Sequence, residues 1–423
     1  MSDPILPMKD KVSLLRQASP KWQMVPMRER LRMVRRFRSR LRCQMLSLPG
    51  LFPNRPVPET LTAEWLPLLA ASTFLLRKAR KILAPRRCGV FGRPLWLPGV
   101  TSVVERRPFG AVLILAPGNY PLMLPGIQAL QALVAGNAVA LKPASGGEAA
   151  AHLLQTLLRQ AGCPDGLFIV LSVDDGPDAV AAGFDLIILT GSAQTGRTVL
   201  RQAAATLTPT IMELSGVDAV FVLPDADLSL VVQSLAYGAR LNNGATCIAP
   251  HRVFIHHTQR ATLLTGLRTA LAKKKPLALA PRTQESISDL KAIITIAGGT
   301  AETIGNVTLF SETETLQHLL DVDIFAPWLA VTGVESMEEA LTLNQTSSYA
   351  LGASIFGPEE DARLLARRLP VGSICINDLI IPTADPRLPF AGAHSSGYGT
   401  TRGPEGLLAV TRPVVTSSRR LFL

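Results

Sequence analysis

The feature that most constrains the fold is an alternation of short apolar runs with segments of helical periodicity between Ala111 and Val222. The runs predict strands over Ala111–Ala116, Ala138–Leu141, Phe168–Leu171, Leu186–Leu189, Ile211–Leu214 and Ala219–Val222. The segments between them predict helices over Leu122–Ala135, Glu148–Ala161 and Gly196–Leu207. Because apolar strands alternate with helices, they predict a parallel sheet that is covered on both faces.

The C-terminal half continues the alternation less regularly. Strands are predicted over Val253–Ile255, Ala353–Phe356 and Ser373–Ile376, and helices over Gln259–Lys273, Ser336–Asn344 and Glu359–Arg368. Residues 276–322 have no clear pattern. A chain of 423 residues is too long for one ordinary core, so we expect two domains of the α/β class.

Positive charge is concentrated in the first 110 residues, which hold 22 lysines and arginines against six acidic residues. The densest run extends from Arg28 to Arg42. An amphipathic helix with a basic outer face is predicted there, because apolar residues recur three or four positions apart at Leu31, Val34, Phe37, Leu41 and Met45. One interpretation is a solvated helix face packed on the domain. The other is an anionic partner, either nucleic acid or an acidic membrane surface, although no zinc-finger or RNA-binding motif accompanies the basic face.

Several protein classes are disfavoured by features that the sequence lacks. The N-terminus does not have the basic and then apolar layout of a signal peptide. The uncharged stretch from Pro108 to Leu141 is interrupted by prolines, glycines and asparagines, so it predicts buried strands and a helix rather than a membrane span. Five cysteines are widely spread and six histidines form no HExxH motif, which predicts neither a disulfide framework nor a metal site. We therefore expect a cytoplasmic protein.

The segment from Gly191 to Gly196 is a candidate phosphate-binding turn. It follows a predicted strand and opens a predicted helix, so its backbone N–H groups and the positive end of the helix would suit a pyrophosphate. A plain glycine turn explains the segment equally well. Neither GxGxxG after a strand nor GxxxxGK[ST] occurs in the sequence.

Three residues are candidates for catalysis. Cys247 lies in NNGATCIAP, after a helix that ends near Asn242, and could be a nucleophile, although an isolated cysteine is more often an inert buried residue. Glu213 ends the strand in IMELSG, where burial would raise its pKa and suit it to act as a general base. Asn119 follows the first strand of the sheet, and its side-chain amide could hold an oxyanion. Loops at the carboxyl ends of parallel strands are where such sheets bind ligands.

These residues belong to a set of motifs that resembles the aldehyde dehydrogenase superfamily along most of the chain. The matching stretches are RRPFGAVLILAPGNYP, GNAVALKPAS, GCPDGLF, ILTGSAQTGR, MELSGVDAVFVLPDADL, NNGATCIAP and PFAGAHSSGYG, with weaker matches at DIFAPW and GSICIND. The 34-residue step from Glu213 to Cys247 is also similar to the family's spacing between base and nucleophile. The resemblance implies an α/β fold with a parallel-sheet cofactor-binding domain, an α/β catalytic domain and a C-terminal arm.

The resemblance also implies a domain organisation. Residues 1–100 would be the N-terminal helical part of the cofactor domain, and residues 101–214 the dinucleotide-binding domain. Residues 215–388 would form the catalytic domain, and residues 389–423 the C-terminal return and oligomerisation arm. A homodimer or homotetramer is expected, with no specific nucleic acid partner and no transmembrane segment.

The implied reaction is the oxidation of an aldehyde to a carboxylic acid with NAD or NADP. The Cys247 thiolate would attack the carbonyl carbon, and the Asn119 side-chain N–H and the Cys247 backbone N–H would stabilise the oxyanion of the thiohemiacetal. Hydride loss to the nicotinamide would leave a thioester, and Glu213 would then activate water to release the acid.

Cofactor-binding roles follow from the matching motifs. The resemblance assigns them to Pro117, Lys142, Ser145, Gly191, Ser192, Gly196, Asp323 and Phe325. Ser145 departs from the family, because members that prefer NAD often carry Glu there, and a neutral side chain would not repel the 2′-phosphate of NADP. Asp323 stands where the family usually has Glu against the nicotinamide ribose, and Ser215 replaces a glycine after the base. We therefore expect NADP or NAD as the cofactor.

The implied substrate pocket is flanked by Tyr120, Met123, Leu124, Ile127 and Thr246. Since this set is largely apolar and no Arg or Lys lies in that stretch, we expect an apolar or aromatic aldehyde and poor use of acidic semialdehydes. Packing of this helix face on the core is the other interpretation. Two alternatives to hydrolytic oxidation also stay open: a CoA-acylating relative, and a catalytically weak nucleotide-binding interaction protein that uses the basic N-terminal face.

Overall fold

The N-terminal region folds into helices that pack against the first sheet. The computed structural model describes residues 7–45, 48–52 and 55–419. Residues 1–6 of the predicted N-terminal part and residues 420–423 of the predicted C-terminal arm therefore lie outside the described residues. The helices are α1 Met8–Met24, α2 Met27–Cys43, α3 Val57–Thr60 and α4 Leu66–Ile82, with a 3-10 turn at Leu48–Leu51 and a π-helical turn at Leu61–Trp65.

Helix α2 carries the dense arginine run, and most of these arginines are exposed. Three predicted apolar positions are buried, namely Val34, Phe37 and Leu41. Leu31 is half-buried and also packs against the core. Met45 is exposed because it lies beyond the end of the helix, so the predicted stripe is wrong at this position. Met33 and Arg30 complete the buried face, because each lies one helical turn before a buried residue. The Arg30 side chain donates to the Val134 carbonyl at 2.8 Å, so part of the basic run serves packing.

The C-terminal segment returns to the N-terminal half of the chain and forms a three-stranded antiparallel sheet, which we call the arm sheet. Its strands are β1 Arg86–Cys88, β2 Val100–Pro108 and β18 Thr411–Arg419, in the order β1-β2-β18. Strand β18 pairs with β2 over its full length, from Thr411 opposite Pro108 to Arg419 opposite Val100. The connection between β1 and β2 is a loop of residues 89–99.

A six-stranded sheet forms the first α/β unit. Its strands are β3 Ala111–Leu115, β4 Ala138–Lys142, β5 Phe168–Val170, β6 Leu186–Gly191, β7 Thr210–Leu214 and β17 Gly397–Tyr398. The intervening helices are α5 Met123–Ala135, α6 Glu148–Gln160, α7 Gly176–Ala181 and α8 Ala193–Ala204, with a 3-10 turn at Val173–Asp175. The order is β17-β7-β6-β3-β4-β5, and each pair is parallel except β17 with β7. The predicted parallel sheet is therefore confirmed, and its strand order reverses between β3 and β6, where such sheets leave a crevice for a ligand.

Helix α8 begins three residues earlier than predicted. The Ser192 side chain accepts a hydrogen bond from the Thr195 backbone N–H at 3.2 Å, which is the usual geometry of an N-cap. The short helix α7 was not among the predicted elements. The sixth predicted strand, over Ala219–Val222, does form, but it belongs to the second sheet rather than the first.

The second α/β unit is built on a seven-stranded sheet with the order β10-β11-β12-β9-β8-β14-β15. Its strands are β8 Asp218–Val222, β9 Pro250–His256, β10 Thr300–Ile304, β11 Val307–Ser311, β12 Trp328–Val334, β14 Gly352–Phe356 and β15 Ser373–Ile376. Its helices are α9 Leu228–Gly238, α10 His257–Ala272, α11 Pro281–Ile296, α12 Met337–Asn344 and α13 Glu359–Ala366. All pairs are parallel except β10 with β11.

The poorly patterned stretch of residues 276–322 contains helix α11 and the antiparallel pair β10–β11. Strand β12 falls outside every predicted element, although its apolar run WLAVTGV is a signal that could have found it. Smaller elements complete the chain, namely β13 Tyr349–Ala350, β16 Ala393–His394, α14 Gly403–Ala409 and 3-10 turns at Leu241–Gly244, Gln317–Leu319 and Ile381–Ala384. Within the described ranges, no helix has the length and hydropathy that a bilayer span requires.

Candidate active site

Cys247 lies on a cavity of about 300 Å³. The cavity is also lined by every residue predicted to flank the substrate, namely Tyr120, Met123, Leu124, Ile127 and Thr246. Helix α5 therefore contributes to the cavity wall as well as to the core. The Tyr120 hydroxyl lies 2.7 Å from the Thr246 hydroxyl, which joins the wall to the residue before Cys247. Side chains from α4 and from Ile380–Ala384 add further apolar surface.

The loop that presents Cys247 depends on three consecutive left-handed residues. Helix α9 ends at Gly238 and not near Asn242 as predicted, because Asn242 and Asn243 have φ of 51° and 54°. Gly244 follows with φ of 78°, and a Cβ there would lie 2.3 Å from the Pro327 backbone nitrogen. Asparagine and glycine are the residues that adopt this conformation most readily. The turn therefore brings Cys247 to the cavity just before β9.

Asn119 lies beside the Cys247 loop. Its side-chain nitrogen donates to the Ala245 carbonyl at 3.0 Å, and its side-chain oxygen accepts from the Tyr120 backbone N–H at 3.0 Å. The Asn119 carbonyl accepts from Asn242 Nδ2 at 3.0 Å and from Arg55 Nη2 at 2.6 Å. A side-chain amide has two N–H groups, so one donor of Asn119 is left for an oxyanion.

A buried ion pair that sequence reasoning missed holds the Asn119 loop. Arg55 Nη1 donates to Glu64 Oε1 at 2.8 Å, and the other oxygen of Glu64 accepts the backbone N–H groups of Leu122 and Met123 at the start of α5. Burial raises the pKa of Glu64 to about 7, while the Arg55 charge and these hydrogen bonds oppose the rise. The sequence signal for this ion pair is Glu64 itself, a single carboxylate in the apolar segment that begins at Leu61.

Glu213 is buried in β7, on the strand next to the Gly191 turn. Its Oε2 accepts from the Thr401 hydroxyl at 2.5 Å, whereas no residue in the described ranges bonds to its Oε1. Burial raises the pKa of Glu213, and the Arg402 charge and the Thr401 hydrogen bond oppose this effect. A carboxyl with a raised pKa and one unpaired oxygen is suited to accept a proton.

The charge environment of Cys247 connects it to Glu213. Burial raises the pKa of the Cys247 thiol to about 12, and the Glu213 and Asp218 carboxyls act in the same direction. The Arg402 guanidinium is the cation that lowers it. The Gly216 backbone N–H donates to the Cys247 carbonyl at 3.2 Å, and a Cβ at Gly216 would lie 3.0 Å from that oxygen. The segment that follows Glu213 thus lies directly against the Cys247 loop.

Arg402 is a further site residue that sequence reasoning missed. It lines the cavity and precedes α14, with φ of 59°. Its Nη1 donates to the Thr383 carbonyl at 3.1 Å, and its guanidinium carbon lies 4.0 Å from the centre of the Phe390 ring. The stretch from Tyr120 to Ile127 contains no Arg or Lys. The cavity nevertheless has a cation in its wall, because Arg402 reaches it from the C-terminal tail.

The residues assigned to the cofactor lie around the carboxyl ends of β3, β4 and β6. Pro117 follows β3, Lys142 ends β4, and Gly191 ends β6 with Ser192 capping α8. Gly196 is buried one turn into α8, where a Cβ would lie 2.7 Å from Leu214 Cδ1, so its predicted contact with the pyrophosphate stays untested.

Two further assigned positions, Asp323 and Phe325, come from the segment that precedes β12. Asp323 is half-buried and accepts hydrogen bonds from the Ser215 hydroxyl and from the backbone N–H of Ala193. Burial raises its pKa, and these hydrogen bonds oppose the rise. Phe325 is exposed.

The residues present fit a dinucleotide. Lys142 forms no ion pair with any residue that the structure describes, and Ser145 is exposed in the turn that follows it. Lys142 and the N-terminus of the 12-residue helix α8, at the switch point of a parallel sheet, are the kinds of group that bind phosphates. Two N–H groups of that helix end are already bonded, to Ser192 and to Asp323. Elsewhere in the described residues, the ligand atoms of His256, His257 and Glu335 lie within 4.8 Å of one another near the start of α10.

Comparison with known proteins agrees with this geometry. The model of the aldehyde dehydrogenase family matches residues 8–285 and 291–415. The chain is also 31% identical over 448 residues to a 4,4′-diapolycopene aldehyde oxidase from Methylomonas sp, an alignment that covers 100% of this chain and 83% of that protein. This chain belongs to the aldehyde dehydrogenase family.

Other relatives extend the comparison. The chain is 32% identical over 334 residues to benzaldehyde dehydrogenase [NAD(+)] from Pseudomonas putida. That alignment covers 72% of this chain and 67% of the relative. The structure of an aldehyde dehydrogenase from Mycobacterium tuberculosis superimposes with a TM-score of 0.89 at 22% identity, covering 98% of this chain and 91% of the other. The predicted fold and enzyme class are thereby confirmed: the chain is an aldehyde dehydrogenase that uses NAD or NADP.

The proximity of Glu213 to Cys247 predicts how the thiol responds to a change at Glu213. Replacing Glu213→Gln removes a carboxyl that raises the pKa of Cys247, so more thiolate should be present at a given pH. Iodoacetamide reacts with the thiolate, and we expect alkylation of cofactor-free protein at about pH 8.5 to become roughly threefold to tenfold faster. Mass spectrometry of the Cys247 peptide separates this rate from those of the other cysteines.

Glu285→Gln is the matched control, because Glu285 is exposed on α11. Its rate should equal that of the unmodified chain. An unchanged or slower rate in Glu213→Gln would contradict the contact between the two groups.

Proposed function

We propose that this aldehyde dehydrogenase oxidises apolar or aromatic aldehydes to carboxylic acids, with Cys247 as nucleophile, Asn119 as oxyanion donor and Glu213 as base. The observation that carries the proposal is the position of Cys247 on a mostly apolar cavity, with the two other side chains beside its loop. The Asn119 side chain donates to the Ala245 carbonyl of that loop, and the Glu213 carboxyl lies within electrostatic range of the thiol. The thiol, the amide and the carboxyl come from three separate loops or strands that the two sheets bring together.

The chain's own residues account for the acyl-transfer steps. The Cys247 sulfur forms a bond to the aldehyde carbon, and the free N–H of Asn119 donates to the oxygen that gains negative charge. NAD or NADP, held by Lys142 and the Gly191–Ser192 turn, supplies the hydride acceptor when bound. Glu213 then takes a proton from water, the water oxygen attacks the thioester carbon, and the C–S bond breaks to release the acid.

The proposed substrate class rests on the cavity lining and on the relatives. Met123, Leu124 and Ile127 present apolar surface along one side of α5, and residues 380–384 face it with more. Burial of each substrate methylene on such surface contributes about 0.8 kcal/mol, or roughly fourfold in binding. The relatives named for diapolycopene aldehyde and for benzaldehyde act on compounds that are themselves apolar.

The apolar cavity lining predicts how kcat/KM depends on the aldehyde. Across a series of straight-chain and aromatic aldehydes, kcat/KM should rise by roughly fourfold per added methylene until the cavity is filled, and succinic semialdehyde should be a poor substrate.

A second prediction concerns the nucleophile. Cys247→Ala should abolish aldehyde oxidation while dinucleotide binding, measured by fluorescence titration, is retained. Cys88→Ala, at a half-buried cysteine of the arm sheet, should leave the rate unchanged.

Two outcomes would overturn this assignment. A flat chain-length series would contradict the proposed substrate class, and substantial turnover by Cys247→Ala would contradict the assignment of the nucleophile.

Product analysis with and without CoA decides between hydrolysis and the CoA-acylating alternative. The acid alone should form in both cases, since we assign Glu213 the activation of water.

We further propose that NADP is accepted at least as well as NAD. A 2′-phosphate would find the unpaired Lys142 cation and the neutral Ser145 in place of a repelling carboxylate. Ser145→Glu should therefore lower the ratio of kcat/KM for NADP to that for NAD by about tenfold or more, because a carboxylate repels phosphate and binds ribose hydroxyls. Ser39→Glu, on the exposed face of α2, adds the same charge elsewhere and should leave the ratio unchanged. An unaltered ratio in Ser145→Glu would contradict the position of the ribose.

We also propose that the arm sheet mediates a homodimer or homotetramer. The loop between β1 and β2 exposes four large apolar side chains, and β18 exposes Val415. Those in the loop are Val90, Phe91, Leu95 and Trp96. A monomer seldom leaves such a patch in water, which supports contact with a second copy.

Substitution of the patch tests the assembly. Phe91→Ser with Trp96→Ser should reduce the mass measured by light scattering toward that of one chain, whose mass is 45.3 kDa. Ile296→Ser, at an equally exposed apolar residue outside the arm, should not. A monomeric unmodified chain would contradict the proposal.

The proposed domain organisation agrees with how the core divides. One apolar cluster contains the N-terminal helices and the first sheet up to Leu214, together with Leu407 and Val410 of the tail. Three other clusters lie between Val217 and Leu379. This division supports residues 1–100 and 101–214 as one cofactor-binding body, 215–388 as the catalytic domain and 389–423 as the return arm. The cytoplasmic location also stays a proposal, supported by five cysteines that are all free.

A further inference from the structure

Arg402 is a cation in the wall of the catalytic cavity that the reaction described above does not use. Its Nη1 donates to the Thr383 carbonyl, and its flat face lies on the Phe390 ring. Its Nε is buried and has no hydrogen-bond partner among the residues that the structure describes. Holding the residue costs backbone strain as well, because φ is 59° at a non-glycine position.

The charge of Arg402 has no permanent counter-ion. Arg402 is half-buried, and none of the ion pairs within the described ranges includes it, although a guanidinium with a buried nitrogen is normally paired with a carboxylate. The acidic groups that its charge reaches are Cys247 and Glu213, which are neutral when protonated. The preceding residue, Thr401, donates its hydroxyl to Glu213, so backbone connectivity fixes Arg402 next to the base.

We propose that Arg402 is the charge partner of two successive anions in the reaction, first the Cys247 thiolate and then the Glu213 carboxylate. The inference rests on the function proposed above. Loss of the thiol proton to solvent leaves a thiolate whose charge Arg402 balances until the sulfur bonds to the aldehyde carbon. Before deacylation, Arg402 balances the ionised Glu213, which then accepts a proton from the attacking water. Arg402 forms no covalent bond in either step, so it is a positioning residue that acts through its charge.

Other charged groups also act on Cys247 and must be separated from Arg402. The Glu213 carboxyl on β7 and the Asp218 carboxyl on β8 raise the pKa of the thiol. The Tyr120 hydroxyl, after β3, is also within electrostatic range of the thiol, and Arg252 in turn pairs electrostatically with Asp218. The Arg402 charge lowers the pKa of the thiol, whereas the two carboxyls raise it. Removal of Arg402 should therefore raise the pKa of the thiol, and removal of the Glu213 carboxyl should lower it. A merely disrupted site would change both variants in the same direction.

The experiment compares Arg402→Gln, Arg402→Met and Arg402→Lys in cofactor-free protein. The neutral variants should alkylate at Cys247 about tenfold more slowly at fixed pH, which corresponds to a rise of about one pKa unit, whereas Arg402→Lys should restore most of the rate. Glu213→Gln should be faster than the unmodified chain. Arg412→Gln, at an exposed arginine ten residues later in β18, is the matched control and should not change the rate.

Steady-state kinetics provide a second measurement. The neutral variants should lose kcat by about tenfold or more while KM changes little, and the acid limb of the pH–rate profile should move to higher pH, with recovery in Arg402→Lys. Equal alkylation rates in Arg402→Gln, Arg402→Met and the unmodified chain would overturn the proposal. So would unfolding of all three variants, because that result would assign Arg402 a structural role. Activity retained by Cys247→Ala would instead overturn the proposed function itself, so the two failures are distinguishable.

Discussion

The cost of forming an anion inside a buried cavity governs this active site. Aldehyde oxidation of the proposed kind needs a thiolate at Cys247 and later a carboxylate at Glu213, yet burial disfavours both. The two acids also oppose each other, because ionisation of Glu213 raises the pKa of the thiol. Their proximity is nevertheless useful, since the same water-accessible volume must serve attack and deacylation. The Arg402 cation offsets a conflict that the catalytic residues would otherwise create for each other.

Backbone geometry determines how closely the two acids approach. Gly216 has no side chain, and its N–H therefore reaches the Cys247 carbonyl at 3.2 Å, which links the strand of Glu213 to the cysteine loop. Gly244 allows that loop to pass within contact of the Pro327 backbone. Asn119 is held by the Arg55–Glu64 pair and is bonded to the cysteine loop through the Ala245 carbonyl. The proposed oxyanion donor, nucleophile and base are thus positioned by hydrogen bonds between loops rather than by one rigid element.

Local patterns predicted the sheets well, because apolar runs and helical periodicity reflect burial that each segment imposes by itself. The strands from Ala111 to Leu214 form within two residues of their predicted limits, and all five predicted pocket residues line the cavity. Features that depend on distant partners were missed. Arg55 and Arg402 look like ordinary basic residues until the fold brings one to the Asn119 carbonyl and the other to Phe390. Strand β10 is mostly exposed and pairs as an antiparallel edge, so it has little apolar pattern to detect.

The position of Arg402 in the cavity wall bears directly on the expected poor use of acidic semialdehydes. A cation in the cavity would at first sight favour a substrate carboxylate. However, Nη1 of Arg402 already donates to the Thr383 carbonyl and Nε is buried, so a carboxylate in the cavity would meet only part of the donor fork. A carboxylate paired with Arg402 would also neutralise the charge that Cys247 and Glu213 need, and it would add a third anion near them. An acidic aldehyde that bound in this way would therefore suppress the ionisation of the nucleophile, so exclusion of acids and activation of Cys247 depend on the same side chain.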